Sequence, residues 1–154
     1  MHSLKRLLLV EDSPRDAELI LDVLGTSQLA NEIVHVRDGA AALDYLYRRG
    51  EFAGRSDDQP ALLLLDLKLP KVDGLEVLRQ IKGDLALKMI PVVMMTSSRQ
   101  EQDLVTSYQL GVNAYVVKPL KFQDFVEAVR QVGVFWAVIN EVPEQTRVRE
   151  RVSE

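Results

Sequence analysis

The sequence contains no cysteine, which excludes disulfides, thiol nucleophiles and cysteine-ligated zinc. No apolar run approaches the roughly 18 residues that span a bilayer. The opening residues 1–6 precede only a short strand-like run, not the apolar core of a signal peptide. These absences lead us to expect a soluble, cytoplasmic protein without a membrane partner. Charge of one sign is also scarce: 19 Lys+Arg against 23 Asp+Glu leave a net charge of −4, which argues against general affinity for nucleic acid. Internal repeats and low-complexity tracts are missing too, and 154 residues suit one α/β domain with little left over.

What is present is a set of apolar runs with polar ends. Residues 7–10 meet Glu11 and Asp12, residues 61–65 meet Asp66, residues 92–95 meet Thr96, and residues 115–117 meet Lys118. Near-continuous Leu, Val and Met stretches of this length suit parallel strands covered by helices on both faces. Parallel connectivity puts every carboxyl end on one edge, so three acids, a hydroxyl and a lysine would share a rim. A further strand is expected over residues 31–36.

Helical stripes alternate with these runs. Ala17, Ile20, Leu21 and Leu24 recur at i, i+3, i+4, i+7, with Ser13 as N-cap, Pro14 as first residue and Gly25 as the end. A second helix from about Asp38 would turn Ala42, Leu43, Leu46 and Tyr47 inward. Asp73 with Glu76 starts a third, which Gly83 stops. Ser98 with Glu101 starts a fourth, running toward Gly111 with Leu104, Val105 and Tyr108 as core contacts. The charged segment 48–60 leads into a strand, so it should emerge at the amino edge, away from the acidic rim, with little chemistry. Right-handed crossovers fold such a chain into a doubly wound five-stranded parallel sheet of order 2-1-3-4-5, α/β and flavodoxin-like. Its switch-point crevice, between the first and third strands, is where Glu11, Asp12 and Asp66 would converge.

Clustered carboxylates raise one another's cost of ionisation unless a cation sits among them. Oxygen-only ligands favour a hard divalent ion, and Mg²⁺ commonly takes one or two carboxylates plus waters and a phosphate. Asp12 and Asp66 are the first ligands to choose. His2 and His35 read as a terminal and a strand-surface residue, because no acidic partner accompanies either.

Taken in order, Glu11-Asp12-Ser13-Pro14, Asp66 through Gly74, Met95-Thr96-Ser97 and Tyr115-Val116-Val117-Lys118-Pro119 resemble the response-regulator receiver signature over residues 7–132. That resemblance implies that Asp66 is the phosphoacceptor, taking a phosphoryl group from a phosphohistidine of a sensor histidine kinase. It further implies Mg²⁺ held by Asp12, Asp66 and the backbone carbonyl of Lys68, with Glu11 acting through a metal-bound water. Lys118 and Thr96 would each serve a phosphoryl oxygen. Movement of Thr96 would let Tyr115 shift and remodel the surface of the fourth helix, fifth strand and fifth helix. A cis bond before Pro119 is another family feature. Glu11 departs from the aspartate of many relatives, while Lys68 and Ser98 flank the path of an attacking water.

Toward the carboxyl end, Phe122, Phe125, Val129, Val132, Trp136 and Ile139 recur at alternating spacings of three and four, a narrow helix-helix seam. Phe135 adds apolar surface past the usual end of a receiver. We therefore expect a receiver over residues 1–140, including an extended fifth helix. A homodimer would form through Phe125, Val129, Val132, Phe135, Trp136 and Ile139, and residues 141–154 would be a charged, disordered tail. The extension, the 48–60 insertion and the lack of an output unit resemble stand-alone regulators paired with bacterial and cyanobacterial phytochrome kinases. Such a protein is not a turnover enzyme on an external substrate. Competing readings are a flavin- or nucleotide-binding protein, an aspartyl-phosphate phosphatase, and a phosphorylation-independent receiver-like interaction module. The first lacks a phosphate-cradling loop after the first strand, and the second would want an acid at the position of Lys68.

Overall fold

The computed structural model describes residues 6–27, 32–112, 114–132 and 147–150. Strands β1 (Arg6–Val10), β2 (Glu32–Val36), β3 (Leu62–Asp66), β4 (Val92–Thr96), β5 (Ala114–Val117) and β6 (Arg147–Glu150) form one sheet. Between them run α1 (Pro14–Ser27), α2 (Gly39–Tyr47), α3 (Gly74–Lys82), α4 (Arg99–Ser107) and α5 (Phe122–Gln131). The order is β5-β4-β3-β1-β2-β6 and all pairings are parallel. Its first five strands have the 2-1-3-4-5 order expected of a doubly wound sheet.

Every residue of β1, β2, β3 and β4 is buried, which is why β1, β3 and β4 read as near-continuous apolar runs and not as alternating ones, while β2 also buries Glu32 and His35. Successive side chains feed two separate cores. Leu8, Leu63, Leu65 and Met94 pack with Val77 and Ile81 on one face; Leu7, Leu9, Leu64 and Val93 pack with Ile20, Leu24 and Phe125 on the other. Each fully buried leucine contributes about 1.5–3 kcal/mol relative to exposure.

Caps set where the helices begin. Ser13 Oγ accepts from the Asp16 amide, Asp38 from Ala41, Asp73 from Glu76 and Ser98 from Glu101. Gly83 ends α3 as expected. Gly25 does not end α1, which continues to Ser27, and its own surroundings are open. Leu104 and Tyr108 are about half exposed, so among the three contacts expected of α4 only Val105 is core. His35 is not a strand-surface residue: it is buried at the end of β2.

Two expectations for the carboxyl end change. Residues 147–150 are not a disordered tail; they form β6, paired with β2 from Glu32↔Arg147 to His35↔Glu150. Phe125 and Val129 are fully buried within the domain's own second core, so they are not available as a dimer seam. Val132 is partly buried against the same core. Phe135, Trp136, Ile139 and the extension of α5 lie outside the described residues.

At the amino edge, the 48–60 segment contains one short 3-10 turn, Gly50–Phe52. Arg6 pairs with buried Glu32 at 3.0 Å and with Asp57 at 3.2 Å, and donates to the Asp58 carbonyl at 2.9 Å. Arg55 stacks 3.9 Å from the Tyr45 ring centre and donates to the Tyr45 carbonyl, Asp57 and Gln59.

Candidate functional site

The rim is assembled by strand ends. β1 and β3 pair Val10 with Leu65, so Glu11 and Asp66 each follow or close a paired position; Asp66 itself pairs with Met95 of β4. Thr96 pairs with Val117 of β5, and the Lys118 amide donates to the Thr96 carbonyl at 2.9 Å. Behind Asp66, the chain turns sharply into α3. The Gly74 amide donates to the Leu67 carbonyl, and a Cβ at 74 would collide with the Asp66 carbonyl, so only glycine allows this approach.

Lys118 is the centre of the cluster. Its Nζ lies 2.7 Å from Glu11 Oε1, 3.0 Å from Asp66 Oδ2 and 3.2 Å from Asp16 Oδ2. The Lys118–Pro119 bond is cis. Glu11 has Lys118 against Oε1, while its Oε2 accepts from the Ser13 amide at 3.0 Å. Burial, together with the charge of Asp66, pushes the Glu11 carboxyl up to about 7 against the opposing pull of Lys118. Burial pulls the Lys118 ammonium down, but Glu11 and Asp66 outweigh it and hold the ammonium above its ordinary range.

Thr96 is wholly buried, and its Oγ1 has no hydrogen-bond partner. A buried hydroxyl without a partner costs roughly 1–3 kcal/mol, so this donor is aimed at something other than the protein's own groups. Tyr115, half-buried on β5, shares a hydrogen bond of 3.0 Å with Thr106 Oγ1 of α4.

The structure brings Glu11, Asp66 and Lys118 together at the carboxyl ends of β1, β3 and β5, with Thr96 closing the adjacent strand. It does not gather Asp12 into a cage with them: Asp12 is exposed, and among the described residues no three acidic or histidine side chains stand close enough to hold a metal ion. A hard cation held by one or two carboxylates and completed by waters still fits the donors. All are oxygens, Glu11 and Asp66 stand side by side on Lys118, and Asp12 is exposed just past the end of β1. Lys68 turns its side chain to Glu101 at 2.9 Å.

From the sequence alone Asp16 is not singled out, and Glu101 and His35 take other roles. Asp16 stands one helical turn beyond Asp12, and that i+4 spacing was the available signal. Glu101 was read only as a cap residue. His35 Nε2 lies 3.0 Å from the Glu11 carbonyl, which accepts from it, a contact that depends on the β1–β2 register.

A doubly wound sheet with its charged side chains concentrated at the switch point, beside a buried threonine, defines the receiver class of α/β signalling domain. Residues 7–130 match the response regulator receiver domain, and the chain belongs to that family. It is 45% identical over 132 residues to the response regulator Rcp1 of Synechocystis sp., covering 86% of this chain and 88% of Rcp1. The structure of Rcp1 in its Mn(2+)-bound form superposes with a TM-score of 0.69, at 43% identity over 90% of this chain and 99% of that one. The bacteriophytochrome response regulator AtBRR is similar at 60% identity and a TM-score of 0.86, covering 90% of this chain and 99% of its own. The phosphorylated cyanobacterial phytochrome response regulator RcpA shares 44% identity at a TM-score of 0.70, over 87% of this chain and 94% of its own.

Proposed function

We propose that Asp66 accepts a phosphoryl group from a phosphohistidine on a sensor histidine kinase of the phytochrome type, and that the chain acts as the response regulator of that kinase. The observation that carries this reading is the sharing of Lys118 by Asp66 and Glu11, at 3.0 and 2.7 Å, next to a buried Thr96 hydroxyl that nothing satisfies. An Asp66 oxygen forms a bond to phosphorus as the donor's P–N bond breaks. The electron pair of that bond returns to the imidazole nitrogen, which takes a proton from solvent. Lys118 offsets charge on one phosphoryl oxygen, and Thr96 donates its hydroxyl hydrogen to another.

Asp12, Asp66 and the Lys68 carbonyl are the ligands we assign to Mg²⁺, with Glu11 acting through a bound water. When bound, the ion would supply positive charge that offsets the charge of the transferred group. Relatives that carry Mn²⁺, phosphate and the phytochrome name support the reading. In the phosphorylated state Thr96 moves toward the phosphate, Tyr115 gives up Thr106, and the groove of about 550 Å³ between α4 and α5, lined by Arg99, Gln102, Tyr115 and Glu127, changes shape. A homodimer would use Val132 with Phe135, Trp136 and Ile139, and not Phe125 or Val129.

Incubation with Mg²⁺ and acetyl phosphate, followed by intact mass measurement, tests the chemistry. The wild-type chain gains one phosphoryl group and Asp66→Ala gains none; equal gain by both overturns the assignment.

A further inference from the structure

Glu101, in the first turn of α4, reaches back over the rim. Its Oε1 accepts from the Ser97 amide at 2.7 Å, and its Oε2 pairs with Lys68 Nζ at 2.9 Å. A capping box would return this carboxylate to the N-cap amide, that of Ser98. Here it goes one residue further, while Ser98 Oγ independently caps the helix. Helix capping therefore does not explain where the Glu101 side chain lies.

The two donors it holds flank the phosphoacceptor. Lys68 is the second residue after Asp66 and Ser97 the first after Thr96, and β3 and β4 run side by side with Asp66 paired to Met95. Glu101 thus bridges the loops leaving both strands. Its side chain is a carboxylate held by one backbone N–H and one ammonium. A phosphoryl group on Asp66 brings dianionic charge to the same two loops and seeks donors of the same kind, a backbone N–H and an ammonium. Lys118 is already divided among three carboxylates.

We propose that Glu101 is an internal competitor of the phosphoryl group, a carboxylate that occupies the Ser97 amide and Lys68 until phosphorylation of Asp66 displaces it. The inference rests on Asp66 as phosphoacceptor. It gives α4 a second link to the site, independent of Tyr115, because release of Glu101 unties the first turn of α4 from the β3 side of the rim.

The test titrates the full chain with acetyl phosphate at fixed Mg²⁺ and reads the phosphorylated fraction by intact mass. Glu101→Ala is expected to lower half-saturation about tenfold, the scale of one charge-assisted hydrogen bond. Glu101→Gln, which keeps an acceptor for Ser97 but loses the charge facing Lys68, should lower it about threefold and decides the matter where the alanine variant melts early. Asp103→Asn removes the same charge from an exposed position on the same helix and should stay within twofold of wild type. Wild type phosphorylated on Asp66, with unchanged half-saturation in both Glu101 variants, overturns the competition alone, as does an equal gain in Asp103→Asn. Wild type that takes no phosphate overturns the Asp66 reading and the competition with it.

Discussion

Two buried charge clusters stand at opposite ends of the same sheet, and they are finished differently. At the amino edge Arg6 meets Glu32, Asp57 and the Asp58 carbonyl, and Arg55 spends its guanidinium on Tyr45, Asp57 and Gln59. That end is not perfectly matched: the buried Tyr45 hydroxyl beneath Arg55 is among the side-chain atoms without a hydrogen bond among the described residues. At the carboxyl edge one lysine serves three carboxylates, Glu11 is pushed up to about 7, and the buried Thr96 hydroxyl has no partner. Buried charges are tolerated where both ions and their remaining donors are matched. The amino cluster is close to that condition and fastens the 48–60 segment to β1 and β2. The carboxyl cluster is further from it, with one lysine among three carboxylates beside a buried hydroxyl, and it is the cluster to which we assign phosphoryl transfer.

The largest effect should come from breaking the matched cluster. Arg6→Met leaves Glu32 buried without its arginine and should cost about 3–5 kcal/mol in urea unfolding, while the folded fraction still labels with acetyl phosphate. Loss of labelling in the folded fraction would break the division of labour between the two ends.

The opposite sign is expected at the unmatched cluster. Glu11→Gln should stabilise the metal-free protein by about 2 kcal/mol at pH 8, while weakening its response to Mg²⁺. Because the folded carboxyl titrates near 7 and a free one near 4.5, the folded state holds more protons between those values. The contribution of Glu11 to stability is therefore fully present below about 4.5 and lost as pH rises through 7. Glu11→Gln should flatten that slope in melts recorded from pH 4.5 to 8; an unchanged slope places the strain elsewhere.

Two further effects sharpen the contrast. Thr96→Val replaces a hydroxyl without a partner by a methyl of similar size, so stability should rise, by about 1–3 kcal/mol. Phosphorylation should slow by about tenfold. A hydroxyl that mattered to folding would give the reverse pattern. Smallest of all, Tyr115→Phe removes one half-exposed hydrogen bond to Thr106, worth about 0.5 kcal/mol, and its readout is the α4 amide shifts and not the melting temperature.

Much of this division could be read before any coordinates. Strand ends at Glu11, Asp66, Thr96 and Lys118 stood out because buried parallel strands leave apolar runs, and caps at Ser13, Asp38, Asp73 and Ser98 are local signals. Glu101 and Asp16 escaped notice because their partners, Lys68 and Lys118, are 33 and 102 residues away in sequence and meet them only through the sheet order. β6 was missed for a similar reason: Arg147–Glu150 alternates charge without an apolar face, and only the free edge of β2 makes it a strand. Phe125 and Val129 lay on a stripe that suits a helix seam as well as a helix on a sheet, and periodicity does not choose between those partners. Leu104 and Tyr108 were placed inward by counting from Ser98, whereas α4 has a narrow apolar face that buries Val105 and leaves both of them out.

The measurement closest to the central claim is the position of the phosphate itself. After phosphorylation with Mg²⁺ and acetyl phosphate, borohydride reduction converts an aspartyl phosphate to homoserine, and peptide sequencing locates it. The account predicts homoserine at position 66 alone; homoserine at position 12 or another acid, or none in a chain that has gained phosphate, contradicts it.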